Sequence, residues 1–259
     1  MLGGEHPLQG QVAVVTGASR GIGRAISVQF ARAGADIVVS ARSTEGAPSR
    51  LPGTIEETAR EVEALGRRAL CVTTDVTSEE QVRNLSERTL KEFGRCDILV
   101  NNAGISSPAP FHQTPLKRWE LVMSVNLRGP VMCMQAFLPA MIERKSGRII
   151  NVSSFLAELV MPGMASYSVS KIALEKLTQY AAEELRPHDV GVNALRIELN
   201  IATEGWMFRN PDMDFSSWEK PEAASEAALW LAEQPPEYSG NIVTIAEVRQ
   251  RMSRSPGRA

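Results

Sequence analysis

The chain has 259 residues, 43% of them hydrophobic and 22% charged, a composition of ordinary globular proteins and a length sufficient for one large core. A formal net charge of −2 argues against nucleic-acid binding, which would show as a basic excess gathered on one face. Cys71, Cys96 and Cys133 lie far apart without CxxC spacing, and His6, His112 and His188 stand alone, so neither a disulfide framework nor a metal site is expected.

From the first residue onward, "MLGGEHPLQG" lacks the apolar segment of a signal peptide, and no uninterrupted apolar run approaches the ~18 residues of a membrane span. The cytoplasm is the expected compartment, with no membrane partner. "QVAVVTG" reads as a strand ending in a turn, and "GIGRAISVQFARAG" as a helix with Ile22, Ile26 and Phe30 at helical spacing. "DIVVSA" (36–41) is a second strand, followed by a Gly/Pro/Ser-rich loop and a helix from Thr54 to Leu65. "RALCVTTD" gives the third strand, Ser78 and Gln81 form a capping-box pattern at the head of a third helix, and "DILVNNAG" holds the fourth strand. A long helix is expected from about Trp119 to Glu143, a fifth strand in "GRIINVSS", and a helix over Ser166–Arg186. "VGVNALRI" is a sixth strand, Pro221–Glu233 the last helix, and "GNIVTIA" a seventh strand. Residues 198–220 show neither period.

No linker divides this series, so residues 1–259 are read as one domain, with 1–8 and 249–259 as flexible ends. Arg249, Arg251, Arg254 and Arg258 would then be a solvated, frayed tail. The βα alternation predicts an α/β fold of Rossmann type, a single doubly wound domain whose seven-stranded parallel sheet has helices on both faces. Ligands bind such sheets at the carboxyl ends of the strands, which here carry "TGASRGIG", "SAR", "TTDV", "NNAG" and "NVSS".

Two of these stretches carry chemistry. Gly17, Gly21 and Gly23 stand between the first strand and first helix, where glycine lets backbone approach a phosphate and the helix dipole favours an anion. Tyr167 and Lys171 are one helical turn apart and share a face. A phenol of pKa ~10 is a poor base at neutral pH, and a nearby ammonium favours its phenolate. Asp75, ending the third strand, can accept an adenine amino group or cap a turn.

Thr16-Gly17-x3-Gly21-x-Gly23, Asn101-Asn102-Ala103-Gly104, a serine thirteen residues before Tyr167, and Tyr167-x3-Lys171 together resemble the short-chain dehydrogenase/reductase family over nearly the whole chain. The long loop and the tail "YSGNIVTIAE" are similar to its hydroxysteroid-dehydrogenase-like protein 2 branch. The resemblance implies that Gly17, Ser19, Arg20, Gly21, Ile22 and Gly23 line a pyrophosphate and adenosine ribose, that Asp75 and Val76 meet adenine, and that Asn102, Ala103 and Gly104 wall the cleft. It implies Tyr167 as general acid/base, Ser154 as hydrogen-bond partner of the substrate oxygen, Lys171 also on the nicotinamide ribose, and Asn126 positioning a relay water. Ser153 is the rival of Ser154; alternation sends only one of them to the cleft, and the thirteen-residue offset selects Ser154.

In that frame the end of the second strand decides the cofactor. Ala41-Arg42 stands where a carboxylate would hold the ribose of NAD, and with Arg20 it favours NADP(H) over NAD(H). Where the family has Pro-Gly after the sixth strand, this chain has Ile197-Glu198, with cofactor contact expected from Ile201 and Thr203 beyond. The apolar groups of residues 198–220 would form a substrate lid or pack on a neighbouring subunit or the domain body; with Leu156, Leu159, Val160, Met161 and Met164 they suit an apolar ketone, aldehyde or secondary alcohol. A homodimer or homotetramer is expected. The competing class is a nucleotide-binding sensor or interaction protein that lost turnover.

Overall fold

Val12–Thr16 (β1) is buried at all five positions, which only an interior strand covered on both faces satisfies. The computed structural model describes residues 6–254. It places β1 in one parallel sheet with β2 (Asp36–Ala41), β3 (Ala69–Thr73), β4 (Ile98–Asn101), β5 (Gly147–Ser154), β6 (Val190–Ile197) and β7 (Ile242–Thr244). The order is β3-β2-β1-β4-β5-β6-β7. The chain winds outward from β1 in both directions, and the reversal between β1 and β4 opens a crevice at their carboxyl ends.

Alternation along the strands sorts the core. Ala13, Val15, Ile37, Val39 and Val100 face one layer, where α1 (Gly21–Arg32), α2 (Ile55–Ala64), α8 (Glu222–Ala232) and α9 (Ile245–Arg254) supply Ile26, Phe30, Val62, Leu231 and Val248. Val12, Val14, Val38, Leu99, Ile149 and Val192 face the other, where α3 (Glu79–Phe93), α5 (Gly129–Glu143) and α6 (Ala165–Leu185) supply Leu85, Phe137, Met141 and Ala182. Phe30 and Phe137 are both fully buried, each contributing roughly 1.5–3 kcal/mol by burial.

The helix expected from Trp119 begins earlier, at α4 (Leu116–Met123), and passes through a π turn at Ser124–Arg128 before continuing as α5. Residues 116–143 are long and apolar enough by length and composition to cross a bilayer, yet half of their apolar 18-residue window is buried in the fold. The expected cap of α3 is half right. Ser78 accepts from Gln81 N, but the Gln81 side chain accepts from Asp75 N instead of closing a box on Ser78. Thr54 and Glu57 form a complete capping box on α2.

The larger corrections are at the ends. Leu8 is fully buried and donates its N–H to Ala33 O, so the flexibility expected of residues 1–8 does not hold at Leu8, while residues 1–5 lie outside the described residues. The seventh strand is three residues long, and the supposed frayed tail is helical through Arg254 as part of α9. Arg249 pairs with Glu219, and the Arg251 guanidinium lies over the Trp230 and Tyr238 rings. Arg258 lies outside the described residues.

A distant residue starts α9. Glu198 Oε2 and Oε1 accept from Ile245 N and Ala246 N at 3.0 and 2.7 Å, so a carboxylate satisfies two free donors and faces the positive helix end. Glu198→Ala should lower stability by about 1–2 kcal/mol in urea unfolding; a midpoint equal to wild type would mean that α9 docks without this cap.

Candidate active site

The floor of the crevice is built from close backbone contacts. Gly17 and Gly21 hold φ of 67° and 55°, the left-handed region that glycine adopts at least cost. At Gly23 an added Cβ would fall 2.3 Å from Gly17 O and 2.5 Å from Asn102 Nδ2, so a side chain there would break the packing. Asn102 Nδ2 donates to Thr16 O and Gly17 O, while Thr16 Oγ1 accepts from the N–H groups of Asn102 and Ala103. The glycine turn and the end of β4 are thereby locked together. Arg20 precedes α1 without a side-chain cap, and the first turn holds no acidic residue. No acidic group of the helix's own first turn neutralises its positive end, and this cradle fits a dinucleotide diphosphate.

Around it stand the other expected cofactor residues. Ser19 and Val76 are buried, Val76 against Gly129, and Ile22 packs on the core. Arg20 Nη2 donates to Ser43 Oγ, Ser49 Oγ and Gly53 O, each at 2.8 Å, which ties the 42–53 loop to the glycine turn. Its Nε is buried without a partner. Desolvation lowers the Arg20 pKa, against the raising influence of Glu204. Arg42 is 66% exposed and lies 3.8 Å from Asp75 Oδ2. Asp75 Oδ1 accepts from the N–H and hydroxyl of Thr77, the turn-capping geometry, while Oδ2 faces Arg42. Burial pushes the Asp75 pKa up, but the Thr77 bonds and Arg42 outweigh it and hold the carboxyl below its ordinary value.

At the chemical end, Ser154 closes β5, is buried, and accepts from Leu156 N at 3.3 Å. Tyr167 and Lys171 project from one face of α6. Lys171 Nζ lies 5.6 Å from the Tyr167 ring centroid and donates to Val152 O at 2.8 Å. Only 4% of Lys171 is exposed. Burial pushes its pKa down to about 8, with Glu175 opposing. Burial raises the Tyr167 pKa, with the Ser154 hydroxyl, its hydrogen-bonding neighbour, pulling it down. The Cβ position of Gly104 lies 3.5 Å from Asn126 Oδ1 and 3.6 Å from Lys171 Nζ, so this exposed glycine borders both groups at ordinary contact distance.

Asn126 sits in the π turn, fully buried. Its Oδ1 accepts from Ile105 N, and its Nδ2 donates to Ile105 O and Ser170 Oγ. The helix residue is thus tied to backbone, but to that of the segment after Gly104. A π turn rotates one residue out of α register, and such turns recur at functional sites.

The family model described as short chain dehydrogenase matches residues 11–212. The chain belongs to that family. Among curated relatives, hydroxysteroid dehydrogenase-like protein 2 of Pongo abelii is 35% identical over 246 residues, covering 94% of this chain and 58% of the relative; the chain spans little more than half of that protein's length. A gluconate 5-dehydrogenase of Burkholderia cenocepacia J2315, solved in complex with NADP and tartrate, is 30% identical at a TM-score of 0.82, covering 93% of this chain and 95% of the other. A metagenomic short-chain oxidoreductase in complex with NADP is 33% identical at a TM-score of 0.76, covering 92% and 97%.

In this short chain dehydrogenase the rival serine is accounted for. Ser153 Oγ donates to Glu175 Oε1 on the face away from Ser154, and Glu175 accepts a bidentate pair from Arg196, which also reaches Glu158. The place usually held by Gly after the sixth strand is held by Glu198, whose side chain leaves the crevice for α9. Neither Glu198 nor the Glu175–Arg196 pair was visible as functional in sequence, since each partner is more than 20 residues away.

Beyond β6 the chain returns over the glycine turn. Ile201 is buried and bridges to Glu219, and the Thr203 side chain would lie 3.4 Å from a Cβ on Gly21. A short helix unmarked in the sequence, α7 (Glu204–Arg209), follows. Trp218 packs edge-on against Trp206 and Phe215, so part of the segment's apolar surface is spent internally. Arg209 Nη1 donates to Ser106 Oγ, and Trp206, Met207 and Phe208 stay largely exposed beside it.

Proposed function

We propose that the chain is an NADP(H)-dependent oxidoreductase acting between a secondary alcohol and a ketone, or an alcohol and an aldehyde, on an apolar substrate. The observation that carries this is the convergence of Ser154, Tyr167 and the buried Lys171 ammonium beside a glycine cradle. A bound nicotinamide dinucleotide supplies or accepts the hydride. In reduction Tyr167 delivers a proton to the carbonyl oxygen, and in oxidation it takes the hydroxyl proton. Ser154 holds that oxygen by a hydrogen bond, and Lys171 stabilises the phenolate left on Tyr167. Asn126 fixes Ile105 and hence the wall next to Lys171.

NADP(H) is favoured by Arg42 and Ser43 at the end of β2, which carries no carboxylate of its own; the Asp75 carboxylate across from Arg42 is 3.8 Å away, and a 2′-phosphate would compete with it for that guanidinium. Arg20 contributes by holding the same loop. Neighbours of the same fold bind NADP. Exposed Leu159, Val160 and Met161 after Ser154, with Met207 and Phe208 on α7, give the apolar character of the proposed substrate site. Exposed Leu116 and Leu121 on α4 and Val169, Ile172 and Tyr180 on α6 lie on two contacting helices. A second copy of the chain would cover them, giving a homodimer or homotetramer.

The test is consumption of NADPH and of NADH with a panel of apolar ketones and aldehydes. NADPH should be preferred by roughly 10-fold or more in kcat/KM, and Arg42→Asp should erase that preference, a loss of the size expected for one charge-assisted phosphate contact. Binding of NADPH without turnover of any carbonyl would point to a nucleotide sensor instead, and a preference for NADH would overturn the cofactor assignment.

A further inference from the structure

We infer that Glu204 limits cofactor affinity: its carboxylate stands at the amino end of α1, in the seat a dinucleotide diphosphate requires, and has to turn away before the cofactor is held. This rests on the dinucleotide reading above and adds a residue that opposes it. Glu204 Oε2 lies 3.6 Å from the Cβ position of Gly21, shielded from solvent and without a hydrogen-bond partner. The Thr203 side chain beside it, 3.4 Å from the same point, shows that the first turn of α7 is laid across the glycine turn.

The cations nearby do not pair with it. Arg20 and Arg24 both feel the charge of Glu204. Arg20, however, is bound to Ser43, Ser49 and Gly53, and Arg24 is bound to Glu61. A carboxylate oxygen taken out of water without a donor is costly, and the favourable influence in reach is the field of these two guanidinium groups and of the α1 dipole. That field is what an incoming diphosphate needs as well, and two anions sharing it repel. Room to move is at hand. A cleft of about 340 Å³ opens between α1, α7 and the start of α8, lined by Arg24, Glu61, Met207 and Lys220, and Glu204 on its edge can exchange the diphosphate seat for Lys220.

The measurement is the Kd of NADPH, by cofactor fluorescence, for wild type and Glu204→Gln, with adenosine 2′-monophosphate as a probe that carries no diphosphate. Glu204→Gln should bind NADPH roughly 3- to 10-fold tighter at low salt, the range of one partly screened charge contact. The gap should close near 1 M salt, where the screening length is about 3 Å, and affinity for adenosine 2′-monophosphate should not change. Equal or weaker NADPH binding by Glu204→Gln overturns the inference, as does an equal gain for the monophosphate. Should neither protein bind NADPH or NADH, the oxidoreductase reading falls and this inference with it; wild-type binding without a gain in the variant sinks the inference alone.

Discussion

Tyr167→Phe is expected to cut turnover by roughly 10³-fold, within the range of a positioned general acid/base, while NADPH affinity stays close to that of wild type. The phenylalanine ring keeps the half-buried packing of the tyrosine on α6 and its place 5.6 Å from Lys171 Nζ, so the local fold has no reason to change. What disappears is one hydroxyl, the group next to Ser154. Ser154 remains as a hydrogen-bond donor to the substrate oxygen, yet its own proton is held too tightly to be delivered. The glycine cradle, Arg20 and Arg42 are untouched, which is why binding and turnover should separate. Single-turnover hydride transfer and NADPH fluorescence titration on the same preparation read both quantities. Turnover above a tenth of wild type would remove Tyr167 from the acid/base role, and a collapse of cofactor affinity would make it a scaffold residue.

The parts of this site that were legible in sequence are those set by short-range periodicity. β-branched runs bounded by turn residues located all seven strands, because a strand buried on both faces must be apolar throughout. A separation of four residues placed Tyr167 and Lys171 on one face, because helix geometry leaves no other outcome. Choosing Ser154 over Ser153 needed the resemblance to a family as well as alternation. What stayed hidden depends on partners far along the chain. The α9 helix begins where Glu198, 47 residues earlier, meets Ile245 N. The Arg20 side chain is spent on Ser43, Ser49 and Gly53, none of which periodicity connects to a glycine turn. The π turn around Asn126 has no signature in "SVNLR", since one extra residue in a helical turn leaves the apolar pattern nearly intact. Residues 198–220 were opaque because their aromatic groups serve each other and the rim of the crevice in place of a regular face.

At Lys171 the expected effects on rate and on stability have opposite signs. Lys171→Met should lower turnover at neutral pH by roughly 10²- to 10³-fold and move the pH dependence. Burial takes the lysine from its ordinary 10.5 to about 8, Glu175 opposing, and pushes Tyr167 upward. With Lys171 Nζ 5.6 Å from the Tyr167 ring centroid, the proton lost near pH 8 is expected to be shared by the pair. Alcohol oxidation, which needs the base form, should rise with pH through about 8, and carbonyl reduction should fall through the same range. With methionine the phenol loses its cation, so the inflection should move above pH ~10; an inflection that stays near 8 would assign it to another group. Stability runs the other way. Because the folded pKa lies below the unfolded one, the unfolded chain holds the extra proton between about pH 8 and 10.5, and wild-type stability should rise across that window. Below pH 8 the buried ammonium is a destabilising charge, at most about 3 kcal/mol for a depression of that size. Methionine removes the charge but leaves Val152 O without its donor, which costs part of the gain. At pH 7 the variant should therefore be more stable by about 1–2 kcal/mol, with a flatter dependence between pH 8 and 10 in chemical denaturation. A less stable variant would show that the Val152 bond and the attraction of Glu175 outweigh desolvation. The expected result is an inactive protein sturdier than its parent, as follows when a site keeps a charge that its own burial resists.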